Sequence, residues 1–439
     1  MYVCGPTVYG PPHLGHGRFS LVFDVLRRYL EWKGFEVTYV SNITDVDDNI
    51  INKAKAEGRT AQSVVDEYEA VWYDAMDAIG VKRPSQDPHA TAYLEEMVAV
   101  IEELVARDAA YELDDGVYFS VASVADYGLL ARQDLDSLKA GARVAVDDQK
   151  RSPVDFALWK KVAGEGPSAM DETAEPWWDS PWGPGRPGWH TECVAMSLGL
   201  LGDRFDLHGG GRDLAFPHHE NERAQAVASG HRFAAHWVHN GFVEIGGKKM
   251  SKSLNNFVTL VDLVERADPR SYRLLVLRSH YRSPLEVTEA NTADATAALA
   301  RLDAFARRVR DLPDAPPDDE AMVQLQARMD DDLDTPGVVD LLFRLVRRGN
   351  TALDASPDAG DQAAFGSIAT AVREICRAVG LDLDDEDAEV PAEHLAMAVA
   401  LDEARESRDW PRADGIRDDL TALGYVVETA AEGTKLRPA

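Results

Sequence analysis

The chain has 439 residues, of which 45% are hydrophobic, and a formal net charge of −30. That content supports about two to four domains with buried cores, and with no run of about eighteen apolar residues and no basic-then-apolar leader, nothing argues for a membrane span or a secretion signal. Three cysteines, Cys4, Cys193 and Cys376, are too few for a disulfide framework and fit a reducing compartment, the cytoplasm, while the acidity argues against a nucleic-acid partner without excluding a local basic groove.

In chain order, a strand ahead of Cys4 and a Gly/Pro loop lead into apolar residues at helical spacing from Gly17 to Lys33, stopped by Gly34. Phe35 to Val40 is β-branched and aromatic, so the opening rhythm predicts a βαβ unit and a parallel sheet. Thr60 is a fair N-cap for a helix reaching Ile79 and ended by Gly80, and a second long helix spans Ala92 to Ala106. Asp-Asp-Gly inside YELDDGVYFSV marks a hairpin. Asp126 to Pro187 has no sustained periodicity and reads as the bulk of a connective insertion of about 90–187. Strands and helices resume with RFDLHGGGRDL, FPHHENERAQAVASG and HWVHNGFVEIGGKKMSKSLNNF. After about Glu289 the pattern is helical, interrupted by the linker LPDAPPDDE, and the last stretch ends in a hairpin. The expected domains are 1–290, with 241–290 as a distinct region, then 291–388 and 389–439.

Three groups of residues carry chemistry. His13 and His16, in HLGHG, follow a loop and open a helix, where imidazole nitrogens and orphan N–H groups can address a phosphate; Gly15 and Gly17 permit close approach. Two exposed histidines or a metal pair are the plainer alternatives. His218 and Glu222 are four apart on a helix opened by Pro217, close enough to share an ion, although a core histidine with an acidic first turn explains the pair as well. Adding Cys4 and Cys193, the two cysteines outside the helical half, makes a set of two thiols, an imidazole and a carboxylate that suits zinc. Cys376 is expected to be a small buried hydrophobe. Lys248, Lys249 and Lys252 in KKMSKS form a basic loop suited to closing over a triphosphate, or else merely a solvated one.

HLGH with KMSKS resembles the two signatures of class I aminoacyl-tRNA synthetases. With YVCGPTVYG, NITDVDDNI, GWHTECVAMS, HGGGRDLAFPHHENE and DDDLDTPG, the chain resembles the cysteinyl-tRNA synthetase family over almost its whole length. The resemblance implies an α/β fold: a Rossmann-type doubly wound parallel sheet with a connective insertion, an all-helical bundle and a small terminal module. It implies activation of L-cysteine by ATP with Mg²⁺ and transfer to tRNA(Cys), with zinc on Cys4, Cys193, His218 and Glu222 gripping the substrate thiolate. By the same resemblance His13, His16, Lys249 and Lys252 are catalytic. Pro6, Thr7, His13, Gly15, His16, His208, Gly209, Gly210 and Lys252 line the ATP site, and Trp189 lies near the amino acid. A monomer is the family expectation, with no membrane partner.

The family commonly carries about twenty further residues ahead of YVCGPTVY, so a start assigned too far downstream is expected, and it commonly reads Asp-Asp-Lys where this chain has Asp47-Asp48-Asn49. Arginines at helical spacing, such as Arg301, Arg307, Arg344 and Arg348, and Arg405 to Arg417 around Trp410, suit a tRNA track; singly, each is better read as an i,i+4 partner of Asp or Glu. Two rivals exist. A cysteine:amino-sugar ligase has Cys-Gly-Ile-Thr where this chain has Cys4-Gly5-Pro6-Thr7, and lacks the long C-terminal half. A non-catalytic RNA-binding descendant would have lost a signature lysine or a zinc ligand.

Overall fold

The structure, a computed structural model, describes residues 1–132, 149–163, 168–246, 248–249, 258–313, 315–355, 362–384, 391–423, 425–430 and 433–438. It divides into two compact units, residues 1–302 with 312–383, and residues 303–311 with 384–439. The expected boundary after residue 290 falls inside the first unit, and that after 388 lies outside the described residues.

The first unit runs β1 (Tyr2–Val3), α1 (Leu14–Trp32), β2 (Val40–Ser41), α2 (Asp48–Glu57), α3 (Ala61–Ala78), α4 (Leu94–Ala106), β3 (Ala110–Leu113), β4 (Gly116–Phe119), β5 (Phe156–Lys161), β6 (Gly185–Pro187), α5 (Trp189–Leu201), β7 (Leu207–Gly211), α6 (Glu220–Ala228) and β8 (His236–Asn240). A parallel sheet of order β2-β1-β7-β8 is its centre. Side chains alternate across β1. Val3 packs with Phe23 and Leu26 of α1 on one face, while Tyr2 and Cys4 join Cys193, Met196 and Ala226 on the other. Helices therefore cover both faces, which makes the sheet doubly wound.

Local signals set the helix limits. Gly34, at φ 90°, ends α1; Thr60 Oγ1 accepts from the Ser63 N–H at 3.3 Å to open α3, and Gly80, at φ 70°, follows its end. The strand expected over Phe35 to Val40 is found only at Val40–Ser41, in register with Tyr2 and Val3 of β1. Phe35 is exposed.

The connective region forms its own antiparallel sheet of order β3-β4-β5-β6, with the Asp114-Asp115 hairpin where the sequence put it. β5 escaped the period-two test because its pairing with β4 shifts register at Leu158, and Leu158 and Trp159 are both fully buried in one core cluster. Beyond the central sheet, β9 (Val243–Ile245), β10 (Lys248–Lys249), α7 (Leu260–Arg266), α8 (Pro269–Leu277) and β11 (Leu285–Glu286) precede four helices, α9 (Glu289–Arg308), α10 (Asp319–Asp330), α11 (Thr335–Ala355) and α12 (Gln362–Val379). Arg273 of α8 and Asp24 of α1 form a fully buried ion pair at 2.6 Å. In the second unit α13 (Ala392–Glu406) and α14 (Trp410–Ala422) pack through Leu401, Ala404, Ala413 and Leu420, beside the hairpin β12 (Tyr425–Ala430) and β13 (Gly433–Pro438).

Candidate active site

Four elements converge on one buried cluster at the carboxyl end of β1. Cys4 follows the strand, Cys193 comes from α5, and His218 and Glu222 come from the turn and helix after β7. The Cys4 and Cys193 sulfurs are 3.7 Å apart, Cys4 Sγ is 3.5 Å from Glu222 Oε1, and His218 Nε2 is 3.0 Å from the same oxygen. One donor atom from each lies within 4.8 Å of all the others. The i,i+4 spacing of His218 and Glu222 does what the sequence predicted, since extended backbone at Phe216 starts a fresh helical run at Pro217.

Burial sets the electrostatics. It drives the Cys4 thiol well up, and the neighbouring Cys193 and Glu222 push the same way. The same burial opposes a thiolate at Cys193, yet the hydrogen bonds from Cys4 and His218 bring that thiol down to about 6. Desolvation also disfavours a charged His218, but Glu222 and Cys193 lift it to about 10. Glu222, despite its burial, is held well below the usual carboxylate range by His208 and His218.

A second set of donors shares two members with the first: Cys4, His208, His219 and Glu222. His208 Nε2 lies 2.7 Å from Glu222 Oε2, and His219 Nε2 lies 3.4 Å from Cys4 Sγ. The sequence reading put His208 in the adenosine pocket. Its imidazole is fully buried on Glu222 and stacked on Trp237, with ring centroids 4.5 Å apart, and its backbone lies in β7. His190 and His219 were missed. Each lies three residues before a ligand candidate on the same helical run, and that i,i+3 relation was the available signal. His190 Nδ1 meets His218 Nδ1 at 2.8 Å, which holds the far side of the His218 ring. Trp189 stacks on His218 with centroids 4.1 Å apart and is 36% exposed, so it forms the edge between the cluster and solvent.

At the start of α1 the histidines form a capping box. The His16 N–H donates to His13 Nδ1 at 3.3 Å, and the His13 N–H donates to His16 Nδ1 at 3.2 Å. The rings stack with centroids 3.7 Å apart, and His16 meets the edge of Trp72. Of the N–H groups that open α1, that of Leu14 donates to the Val258 carbonyl and those of His13 and His16 are used in the box. An Nδ1 that accepts leaves the neutral ring's proton on Nε2, so each histidine presents an Nε2–H donor.

Pro6 and Thr7 stay close to β2: the Thr44 N–H donates to the Pro6 carbonyl at 2.9 Å, and Thr7 bridges to Thr44. Gly15 lies in the first turn of α1. Gly209 and Gly210 are small for packing, since a Cβ would lie 2.3 Å from the Phe23 ring and 2.8 Å from the His219 ring respectively. Lys249 pairs with Glu244 across β9 and β10 through its backbone, whereas Lys252 lies outside the described residues. Among the arginines proposed for tRNA, Arg344 pairs with Asp340 at i,i+4 and Arg348 with Asp318. Among the described residues, no helix is long and apolar enough to cross a membrane.

Comparison with known proteins bears on this arrangement. Residues 1–297 match the family model for the tRNA synthetases class I (C) catalytic domain, and residues 324–384 match the DALR domain. The chain is 42% identical over 451 residues to the cysteine–tRNA ligase of Carboxydothermus hydrogenoformans, covering 99% of this chain and 94% of that protein. It is 44% identical over 448 residues to the cysteine–tRNA ligase of Halorhodospira halophila, covering 100% and 94%. Among solved structures, the methionyl-tRNA synthetase of Mycobacterium tuberculosis bound by methionyl-adenylate superposes with a TM-score of 0.61 at 14% identity, over 86% of this chain and 90% of that one. That likeness concerns the fold.

Proposed function

The chain belongs to the cysteine–tRNA ligase family of class I aminoacyl-tRNA synthetases, and on that premise we propose how its side chains divide the reaction between them. It is an ATP-dependent ligase that joins cysteine to tRNA. We assign a zinc ion to Cys4, Cys193, His218 and Glu222. The observation that carries this is the meeting of two thiols, an imidazole and a carboxylate, all buried, within 4.8 Å. The alternative set with His208 and His219 has one thiol fewer and is walled by Trp237, Phe205 and Phe233, whereas the chosen set adjoins the half-exposed Trp189. A catalytic metal needs that open side. When bound, the ion would ligate the substrate thiolate, a preference that the harder hydroxyl of serine cannot satisfy.

The protein's own groups then position the substrates. Trp189 covers the amino acid at the mouth of the cluster. The Nε2–H groups of His13 and His16 donate to ATP phosphate oxygens, with Lys249 and Lys252 assigned to the same anion by their place in KMSKS. The cysteine carboxylate attacks the α-phosphorus in line, the new P–O bond forming as the bond to pyrophosphate breaks; Mg²⁺, when bound, would neutralise the charge of that leaving group. A ribose hydroxyl at the 3′ end of tRNA(Cys) then attacks the adenylate carbonyl and releases AMP. The helical half, including the DALR region, is assigned to the tRNA. The monomer is the proposed working state, since one chain supplies every ligand.

Cysteine-dependent pyrophosphate exchange, charging of bulk tRNA with labelled cysteine, and metal analysis test this reading together. Exchange with cysteine and not serine, charging of tRNA and about one zinc per chain are expected. Zinc-free active protein, or equal use of serine, overturns the metal assignment. Failure with tRNA alongside joining of cysteine to an amino sugar overturns the product.

A further inference from the structure

The ligand cluster is braced by a side chain that is not itself a ligand. Asn42 follows β2 and is 1% exposed. Its Oδ1 accepts from the Gly5 N–H at 2.9 Å and from the Tyr2 hydroxyl at 3.1 Å, and it lies 3.7 Å from Cys193 Sγ. Its Nδ2 donates to Thr44 Oγ1 at 3.1 Å, which fixes the amide's orientation. One oxygen thus touches the residues on both sides of Cys4 and the sulfur of Cys193.

We propose that Asn42 is a positioning residue for the metal centre: its carboxamide oxygen sets the separation of the Cys4 and Cys193 thiols and so tunes metal affinity. The inference rests on the ligand assignment above. Backbone packing supports it independently. The Cys4 N–H donates to the Gly209 carbonyl at 3.1 Å, which ties one side of the loop to β7, while Asn42 holds the other side through Gly5. The approach at Gly5 is so close that a Cβ would lie 1.6 Å from the Asn42 carbonyl oxygen. The loop bearing Cys4 is therefore clamped between β7 and Asn42, and no ligand supplies the second contact. An asparagine suits this role where an aspartate would not. It offers an acceptor to two N–H or O–H donors beside sulfur without adding a negative charge to a site that must gather thiolates.

The experiment compares wild type, Asn42→Ala, Tyr2→Phe and Thr44→Val as full-length proteins. Metal affinity is measured by competition with a chromogenic chelator, the sulfur-to-cobalt charge-transfer band is recorded on the Co²⁺ form, and KM is measured separately for cysteine and ATP. Asn42→Ala is expected to lose affinity by about 10–100-fold, as losing a partner around a metal ligand usually does, with a shifted Co²⁺ band, a raised KM for cysteine and an unchanged KM for ATP. Tyr2→Phe removes only one of the two anchoring donors and should lose a smaller factor, and Thr44→Val, which removes the bond that orients the amide but leaves both donors to its oxygen, should also lose a smaller factor than Asn42→Ala. Wild-type affinity and Co²⁺ band in Asn42→Ala overturn the proposal. If that variant does not fold, wild-type affinity in Tyr2→Phe overturns it. A loss in Thr44→Val as large as in Asn42→Ala also overturns it, by assigning the effect to general packing. Absence of metal binding by the wild type is a different result, since it strikes the ligand assignment itself.

Discussion

Cys4 and His16 belong to the same strand-loop-helix unit, yet they are held in opposite ways. Cys4 is surrounded by groups from α5, α6, β7 and the end of β2, all remote in sequence and nearly all buried. His13 and His16 hold each other, each ring accepting from the other's backbone three residues away. A thiol pair meant to gather a cation needs a dry site and many partners, because burial is costly unless other groups offset it. A turn proposed to face a phosphate needs only the right tautomer at a helix start, which a local motif can supply. One site is thus assembled by the whole fold, the other by a few consecutive residues.

That contrast can be broken experimentally, and the greatest effect is expected where the fold-wide site is cut. Cys193→Ala should reduce bound metal to background and abolish cysteine-dependent pyrophosphate exchange, and chelation of the wild type should do the same reversibly; residual exchange with no metal bound would refute this. His16→Ala comes next. Loss of one preorganised donor should lower the rate of adenylate formation by about 10²–10³ while metal content stays at the wild-type value. A parallel fall in metal would mean that the two sites are not separately held.

Gly209→Ala tests the packing on which both depend, since its Cβ would meet the Phe23 ring at 2.3 Å. Overpacking of this kind costs about 1–3 kcal/mol, and chemical denaturation should register it. The smallest effect is expected at an exposed control, Asp48, which pairs with Lys160 at 2.7 Å and Arg186 at 2.9 Å. Burial alone would raise its pKa, but these two cations hold the carboxyl below the usual carboxylate range. A lowered folded pKa gives stability that is present above the unfolded value of about 4 and is lost as pH falls through the folded value. Wild type should therefore melt slightly above Asp48→Asn near pH 6 and converge with it on acidification below about pH 3. A gap that persists in acid would show the ion pairs to be irrelevant.

The difference between the two sites also explains what the sequence could disclose. Helix limits at Gly34, Thr60 and Gly80 were legible because each depends on one residue's cap or turn chemistry. HLGH was legible for the same reason. The four zinc candidates were reached by counting thiols and by resemblance, and only the His218 and Glu222 pair had a local spacing to argue from. Asn42 matters through a contact with sulfur from another element, a relation that no window of sequence contains, whereas His190 and His219 had only their i,i+3 spacing to a ligand candidate as a local signal. The packing of HGGG was not legible either: Gly209 and Gly210 make room for Phe23 and His219, and the His208 imidazole turns inward to Glu222. The strand over Phe35 to Val40 was overextended because a β-branched, aromatic run favours extended backbone without saying which of its residues pair.

The separation between Cys4 and Cys193, 189 residues along the chain, has a consequence in time. At about 5–20 residues per second, synthesis delivers the second thiol about 10–40 s after the first. Glu222 arrives later still, 218 residues after Cys4. Throughout that interval the first thiol has none of its sulfur, imidazole or carboxylate neighbours, and β1 lacks β7, its second partner in the sheet. On the proposed metal assignment, loading of the ion would therefore be a late event in the life of the nascent chain, and until then the newborn βαβ half carries a thiol without its later neighbours beside an unpaired strand edge.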